Sequence, residues 1–528
     1  MGTPFLLVGG LAVILVCALV AKRTNLPDPI VFVIAGVLLA FAPGLPAIQI
    51  DPQYIFLIVL PPLLANGGWN TDWRLFRTYA RPILLLAIGL VCATTFVTGA
   101  VAHALGFPWI AGIILGAIIA PPDAVAAMTI FERFRIPRRI TAIIDGEGLV
   151  NDASALVIYQ FAVAAAVTGL FSPLAAAGTF VYVAVAGIAM GLLVALAAEG
   201  LARVMRRLNL VDSLIDNLVL LIAPYAAYLS AVSIGASGVL SAVVGGLYLG
   251  RRSSVLYGPE TRLVGGAVWD VLIYLINGYV FLAIGLQLRG MFGTGAIALH
   301  AIVPGLIVSA AAIALRIAWV FTTVYLPRAI APKWKGFAER PPARWVAIVA
   351  WSGLRGIVSL AAALALPLND AAGRPLIDRD VIIVMAFVVI VVTLVGQGLL
   401  LIPILRWLRL EEDVDPTDIR DIEVRVAALK AGLAALKRLE QKDEHTPEEW
   451  EIIGRIRSEY ENRIAHLRAH TELGVAENPL AVYDDKLQAA TLRAERAAIT
   501  RLRDEGKIPD EIFRKIQFDL DLAASRLT

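Results

Sequence analysis

The sequence predicts an all-α membrane protein of about thirteen transmembrane helices, built on inverted repeats, with two broken crossing helices and a helical cytoplasmic tail. Three observations carry that prediction. The 528 residues are 59% hydrophobic with a mean hydropathy of +0.76, well above a soluble domain, where about half the residues are apolar. Apolar runs near the ~20 residues that cross a hydrocarbon core recur along the first four-fifths of the chain. Charge is also divided: residues 1–410 carry 27 Lys/Arg against 17 Asp/Glu, whereas 411–528 carry 19 against 26. The near-neutral total of +3 therefore joins a basic membrane part, residues 1–410, to an acidic helical domain, residues 411–528.

Thirteen segments emerge, at roughly 4–21, 28–42, 52–69, 81–104, 108–128, 140–166, 176–200, 211–231, 236–251, 265–288, 298–327, 343–366 and 379–408. The loops between them test the count, because cytoplasmic loops collect Lys and Arg. Alternate loops hold twenty such residues, among them Arg74, Arg77, Arg138, Arg139, Arg206 and Arg207; the intervening loops hold only Arg289, Arg374 and Arg379. This asymmetry predicts an N-terminus outside and a tail inside the plasma (inner) membrane.

Two spans read as interrupted. Ala120-Pro121-Pro122-Asp123 removes backbone donors in mid-span, and Ser352-Gly353-Leu354-Arg355-Gly356 sets two glycines around a charge. Irregular backbone survives at that depth only inside protein or beside a wet cavity. The interrupted spans lie seven apart, an odd offset, so they run in opposite directions. That is the arrangement of inverted repeats with a transport site at the paired breaks.

Chemistry concentrates in Asp145-Gly146-Glu147-Gly148-Leu149-Val150-Asn151-Asp152, where three carboxylates enter an apolar span. Ionised groups there mark ion paths or internal pairs. A carboxylate in low dielectric favours its proton unless a cation replaces it, and that mutual exclusion is the minimum an exchanger needs. Asp152 is the candidate for this role, with Asn151 beside it and Asp123 opposite, where Pro122 leaves a carbonyl open to a hard cation. Arg355 at mid-span needs a partner, since a stranded buried charge costs several kcal/mol. Glu147 is the expected partner and Asp145 the peripheral acid.

These stretches resemble the sodium/proton exchanger branch of the monovalent cation/proton antiporters. Gly146-Glu147-Gly148-Leu149-Val150-Asn151-Asp152 is similar to that family's G-E-S-L-x-N-D motif, and Pro122-Asp123-Ala124-Val125-Ala126 with Phe131-Glu132 to its D-P-V-A-V…F-E segment. Leu60-Pro61-Pro62-Leu63-Leu64, Ile276 to Leu286 and Gly353-Leu354-Arg355-Gly356 also fit, in the family's order. The resemblance implies a homodimer with a dimerisation part and a moving core. It further implies Na⁺ exchanged for H⁺ at Asp152, a role in pH homeostasis, and an electroneutral exchange, because Asn151 stands where electrogenic relatives carry a second aspartate. It matches Glu147 and Arg355 to the family's internal pair, and Arg316 to a family arginine that is a possible accessory. Gly148 replaces a serine, Asn66 stands where many members have an acid, and Pro122-Asp123 reverses the usual order. Those departures leave Na⁺, Li⁺ and K⁺ open as the transported cation.

The tail shows apolar residues at helical spacing near 416–440, 446–470, 482–504 and 508–525, with Asn478-Pro479 and Gly506 to Pro509 as separators. No nucleotide or nucleic-acid signature occurs, so the protein is expected to be no enzyme and to need no cofactor beyond the transported ions and the lipid bilayer. Cys17 and Cys92, both in apolar spans, offer neither a disulfide framework nor a thiolate site. An intramembrane aspartyl protease using Asp123 and Asp152 lacks a G-x-G-D sequence, and a passive cation channel lacks a filter loop.

Overall fold

The computed structural model describes residues 3–42, 52–131, 133–134, 136–169, 173–210, 212–288, 296–330, 341–370, 372–376, 378–408, 416–441, 446–472 and parts of 491–520. Glu132 and Arg289, together with the separators at 478–479 and 508–509, lie outside them, as does most of the predicted 508–525 helix. Two compact units divide the chain, Met1–Asp413 and Val414–Thr528.

Every apolar segment read from the sequence coincides with helix. In chain order these are α1 (Thr3–Thr24), α2 (Asp28–Ala40), α3 (Ile55–Asn70), α4 (Ala80–Ala104), α5 (Trp109–Ile119), α6 (Ala124–Phe131), α7 (Arg138–Thr168) and α8 (Pro173–Arg207). They continue with α9 (Ser213–Ser233), α10 (Gly238–Leu256), α11 (Pro259–Leu286), α12 (Ala296–Ile330), α13 (Ala343–Trp351), α14 (Ile357–Leu364) and α15 (Arg379–Leu408). Among the described residues, eight stretches are long and apolar enough to cross a bilayer, counting α5 and α6 together as one, and there is no strand. The molecule is a multi-pass, all-helical membrane protein.

Boundaries follow local chemistry. Asp212 caps α9 by accepting from Leu214 N at 2.7 Å, and Ser237 caps α10 by accepting from Leu240 N at 3.2 Å. Gly169, at φ 72°, ends α7 in the left-handed region that glycine tolerates. The interior of α4 contains a π-helical stretch, Leu85–Leu90, and α15 contains another, Val392–Gln397. Such wide turns are frequent at functional sites. Here their groups tie neighbouring helices: Ser154 Oγ donates to Ala87 O at 2.5 Å, Trp319 Nε1 to Leu85 O at 3.2 Å, and Trp351 Nε1 to Gln397 O at 3.1 Å.

The core is packed where α5, α7, α13, α14 and α15 meet. Ile119, Ile348, Leu354, Leu360, Phe387, Ile390 and Leu394 are buried there. Apolar burial alone cannot hold helices together in lipid, so small residues and interhelical hydrogen bonds share the task. Within the second unit, α16 (Pro416–Glu440) packs on α17 (Pro447–Glu472), and Arg457 reaches Glu440 at 2.6 Å.

Candidate functional site

Both predicted interruptions are present, and they meet. Helix α5 stops at Ile119 and α6 resumes at Ala124; α13 stops at Trp351 and α14 resumes at Ile357. Pro121 and Pro122 have no N–H to give to the preceding turn, so the backbone unwinds and its free groups seek partners elsewhere. The opposite break supplies them. Asp123 N donates to Leu354 O at 2.6 Å, and Arg355 Nε donates to Ile119 O at 2.8 Å. A second guanidinium nitrogen of Arg355 donates to Gly353 O, and Arg355 N donates to Thr393 Oγ1 at 3.1 Å. Ile119 O is a carbonyl that the broken helix leaves without its usual donor. The cation at that C-terminal end also complements the helix dipole.

This arrangement corrects the expected ion pair. Glu147 is not hydrogen-bonded to Arg355. It accepts two bonds from Arg316, Nη1 to Oε1 at 2.6 Å and Nη2 to Oε2 at 2.8 Å, while Arg316 Nη2 also reaches Val349 O at 3.1 Å. Both partners are 1% exposed. The reason is local. Arg316 lies in the continuous helix α12, whose carbonyls are already used, so its charge requires a carboxylate. Arg355 lies in unwound chain and is satisfied by carbonyls that the breaks release.

The acid candidates converge on a cavity of about 90 Å³ beside the crossing. Asp145, Gly148 and Asp152 present one side of α7 to it, as spacings of three, four and seven place them on a single face. Asp123, Pro122 and Ser359 close it from the breaks, and Leu60 and Leu64 from α3. Asp123 Oδ1 caps α6 by accepting from Ala126 N at 3.2 Å. Among the described residues, Asp123 Oδ2 and Ser359 Oγ are buried without a hydrogen-bond partner. Gly356 fits because the Asp123 carboxylate occupies the space that any Cβ there would need.

Asn151, fully buried, donates from Nδ2 to Pro122 O at 3.1 Å and so fixes the break of α5 and α6 onto α7. Its neighbour Asp152 faces the cavity instead. Gly148 also has a packing reason: a Cβ would lie 2.5 Å from Ala124 Cβ, so α6 occupies the space a serine side chain would take.

Two expectations about position change, and one residue comes into view. Asp145 is not peripheral; it lines the same cavity as Asp152 and accepts from Thr71 Oγ1 at 3.2 Å. Asn66 does not reach that cavity. Its Oδ1 accepts from Asn70 Nδ2 at 3.1 Å, and it lines a separate cavity with Trp69 and Asn217. Ser359 also lines the cavity, and its one sequence signal is a polar residue in an apolar run three positions after Gly356, the spacing that returns to one helical face. The π-helical stretches that position Thr393 and Ala87 have no comparable sequence signal.

Residues 11–407 match the family described as "Sodium/hydrogen exchanger, transmembrane". An uncharacterized Na(+)/H(+) exchanger of Mycobacterium tuberculosis is 33% identical over 525 residues, covering 98% of this chain and 94% of the relative. A sodium, potassium, lithium and rubidium/H(+) antiporter of Bacillus subtilis is 29% identical, covering 93% and 73%. The fold is similar to that of the sodium proton antiporter MjNhaP1 of Methanocaldococcus jannaschii, with a TM-score of 0.58 at 19% identity over 76% of this chain and 96% of that one.

Proposed function

The chain belongs to the sodium/hydrogen exchanger family, and we propose from that premise that its cation/proton antiport runs through the cavity at the crossed breaks. The observation that carries this reading is the meeting of Asp123 and Asp152 in one cavity with an unpartnered carboxylate oxygen and an unpartnered hydroxyl. A monovalent cation stripped of water needs several oxygens. Asp152, Asp123, Ser359 Oγ and the second lone pair of Pro122 O are the available donors. When a proton occupies Asp152 the cavity loses the negative charge that would attract the cation there, so the two occupants exclude one another.

Alternating exposure of such a site exchanges cation for proton without any other energy source. Asn151 is held to Pro122 O by its amide, which leaves Asp152 as the single titrating member of that neighbouring pair and supports one-for-one, electroneutral exchange. Na⁺ is the proposed principal cation. The B. subtilis relative, named for sodium, potassium, lithium and rubidium, keeps K⁺ and Li⁺ within the proposal. Placement in the plasma membrane with the tail in the cytoplasm, supported by the loop asymmetry of Lys and Arg, completes it, and the resemblance extends the proposal to a homodimer. Neither the protease nor the channel alternative has support among the relatives.

The test is fluorescence dequenching in pH-loaded proteoliposomes given Na⁺, Li⁺, K⁺ or choline. Cation-dependent proton efflux that saturates, and is lost in Asp152→Asn, is expected. Full exchange in that variant would overturn the site.

A further inference from the structure

A second cavity, of about 370 Å³, lies apart from the ion site. Its walls come from the ends of separate helices: Tyr79 and Arg81 where α4 begins, Arg139 in the first turn of α7, Trp345 in the first turn of α13, and Thr323 in the last turns of α12. Three helix starts and one helix end at the same level define one membrane surface. The crevice is therefore at the edge of the bilayer, not at its centre.

Its lining is divided by polarity. Arg81, Arg139, Thr78 and Thr323 provide two cations and two hydroxyls, and the Arg139 guanidinium lies 5.1 Å from the centre of the Tyr79 ring. Leu85, Ile143, Val320 and Val349 make the rest apolar. Leu85 is also 38% exposed, and its neighbours Leu84 and Ile88 are 46% and 37% exposed, so the apolar side continues onto the lipid-facing surface of α4. The first-turn amides of α7 and α13 add positive dipole ends beside the arginines.

We propose that this crevice binds one anionic phospholipid, its phosphate held by Arg81 and Arg139 and an acyl chain laid along Leu85 and Val320. Basic pockets between transmembrane helices take acidic lipid headgroups in this way. A soluble anion would match the charge of the arginines and leave the apolar part unfilled. A zwitterionic lipid would fill the apolar part and add little at the arginines. Only a ligand with both properties matches the lining, and the inference stands independently of which cation is exchanged.

The experiment is thermal unfolding and lipid titration of the full-length detergent-purified protein with phosphatidylglycerol, phosphatidylcholine or inorganic phosphate. Phosphatidylglycerol is expected to raise the midpoint of the natural sequence, with phosphatidylcholine and phosphate having little effect. In Arg81→Gln/Arg139→Gln the affinity for phosphatidylglycerol should fall roughly thirtyfold, about fivefold for each basic residue near a membrane surface. Arg139→Lys, which keeps the charge, should retain most of the rise and serves if the double variant folds poorly. An equal rise with phosphatidylcholine, an equal rise with inorganic phosphate, or an undiminished phosphatidylglycerol affinity when the arginines are removed would each overturn the proposal.

Discussion

Replacing Arg316 and Arg355 separately distinguishes the arginine that bonds Glu147 in the structure from the one the sequence predicts as its partner. Arg316 gives Glu147 two bonds of 2.6 and 2.8 Å with both residues 1% exposed, so Arg316→Ala leaves a carboxylate buried without its partner. Breaking such a pair from one side destabilises by about 3–5 kcal/mol, whereas replacing both members by apolar residues of similar volume is often neutral. Arg316→Met/Glu147→Leu is accordingly expected to be more stable than Arg316→Ala. Arg355→Ala strands no carboxylate. It removes donors to the Ile119 and Gly353 carbonyls, about 1.5–3 kcal/mol for a hydrogen bond to a charged group. The assay is a double-mutant cycle on thermal unfolding, with Glu147→Gln combined in turn with Arg316→Met and Arg355→Met. Coupling of about 1 kcal/mol or more is expected for the Arg316 cycle and a smaller one for Arg355, which faces Glu147 without a hydrogen bond to it. A larger coupling with Arg355 would refute the reasoning from carbonyl supply.

Four further outcomes are expected. Ser359→Ala should weaken apparent cation affinity severalfold in proteoliposomes while leaving the unfolding midpoint nearly unchanged, because Ser359 Oγ has no protein partner among the described residues. Gly148→Ser should destabilise by about 1–3 kcal/mol through overpacking against Ala124, instead of improving cation binding as a gained ligand would; unfolding and exchange measured together separate the two. Asp145→Asn should lower the exchange rate without abolishing it, since Asp145 lines the cavity but already accepts from Thr71; unchanged transport would place it outside the path. In the loop before α15, Asp370 is held below the usual carboxylate range by the Arg374 N–H first, then by the Arg374 side chain and the Ala372 N–H. A lowered value means the order it gives is present at neutral pH and lost as pH falls through it, so amide exchange at Ala372 and Arg374 should accelerate only below about pH 4.

The architecture was legible because its signals are large. Hydropathy located the helices, and proline or glycine pairs beside a charge located both breaks. The meeting of the two breaks followed from the odd offset of their spans, a topological argument that needs no side-chain detail. The partner of Glu147 was not legible, because burial demands only that an arginine be satisfied, and sequence does not say whether a carboxylate or a loose carbonyl does it. Asp145 reads as peripheral because it lies nearer the cytoplasmic end of its span, although two full turns of α7 bring it back to the face of Asp152. The π-helical stretches widen α4 and α15 at Leu85–Leu90 and Val392–Gln397 without a residue type that announces them.

Arg355 and Asp123 together show why the breaks serve more than cation binding. An unwound segment in a membrane leaves donors and acceptors that water cannot reach, each costing several kcal/mol if unpaired. Here the crossing consumes most of them: Asp123 N takes Leu354 O, Arg355 takes Ile119 O and Gly353 O, and Asn151 takes Pro122 O. What remains unpaired at the cavity is oxygen, Asp123 Oδ2 and Ser359 Oγ. The unpaired side-chain atoms lining the cavity are thus oxygens, which is the polarity a dehydrated cation or a proton requires. Adding a donor at the cavity should therefore oppose transport more than removing an acceptor does. Ser359→Lys places an ammonium among those oxygens and is expected to abolish exchange in proteoliposomes, where Ser359→Ala only weakens it. Equal effects of the two substitutions would mean that the hydroxyl, and not the surplus of acceptors, governs the site.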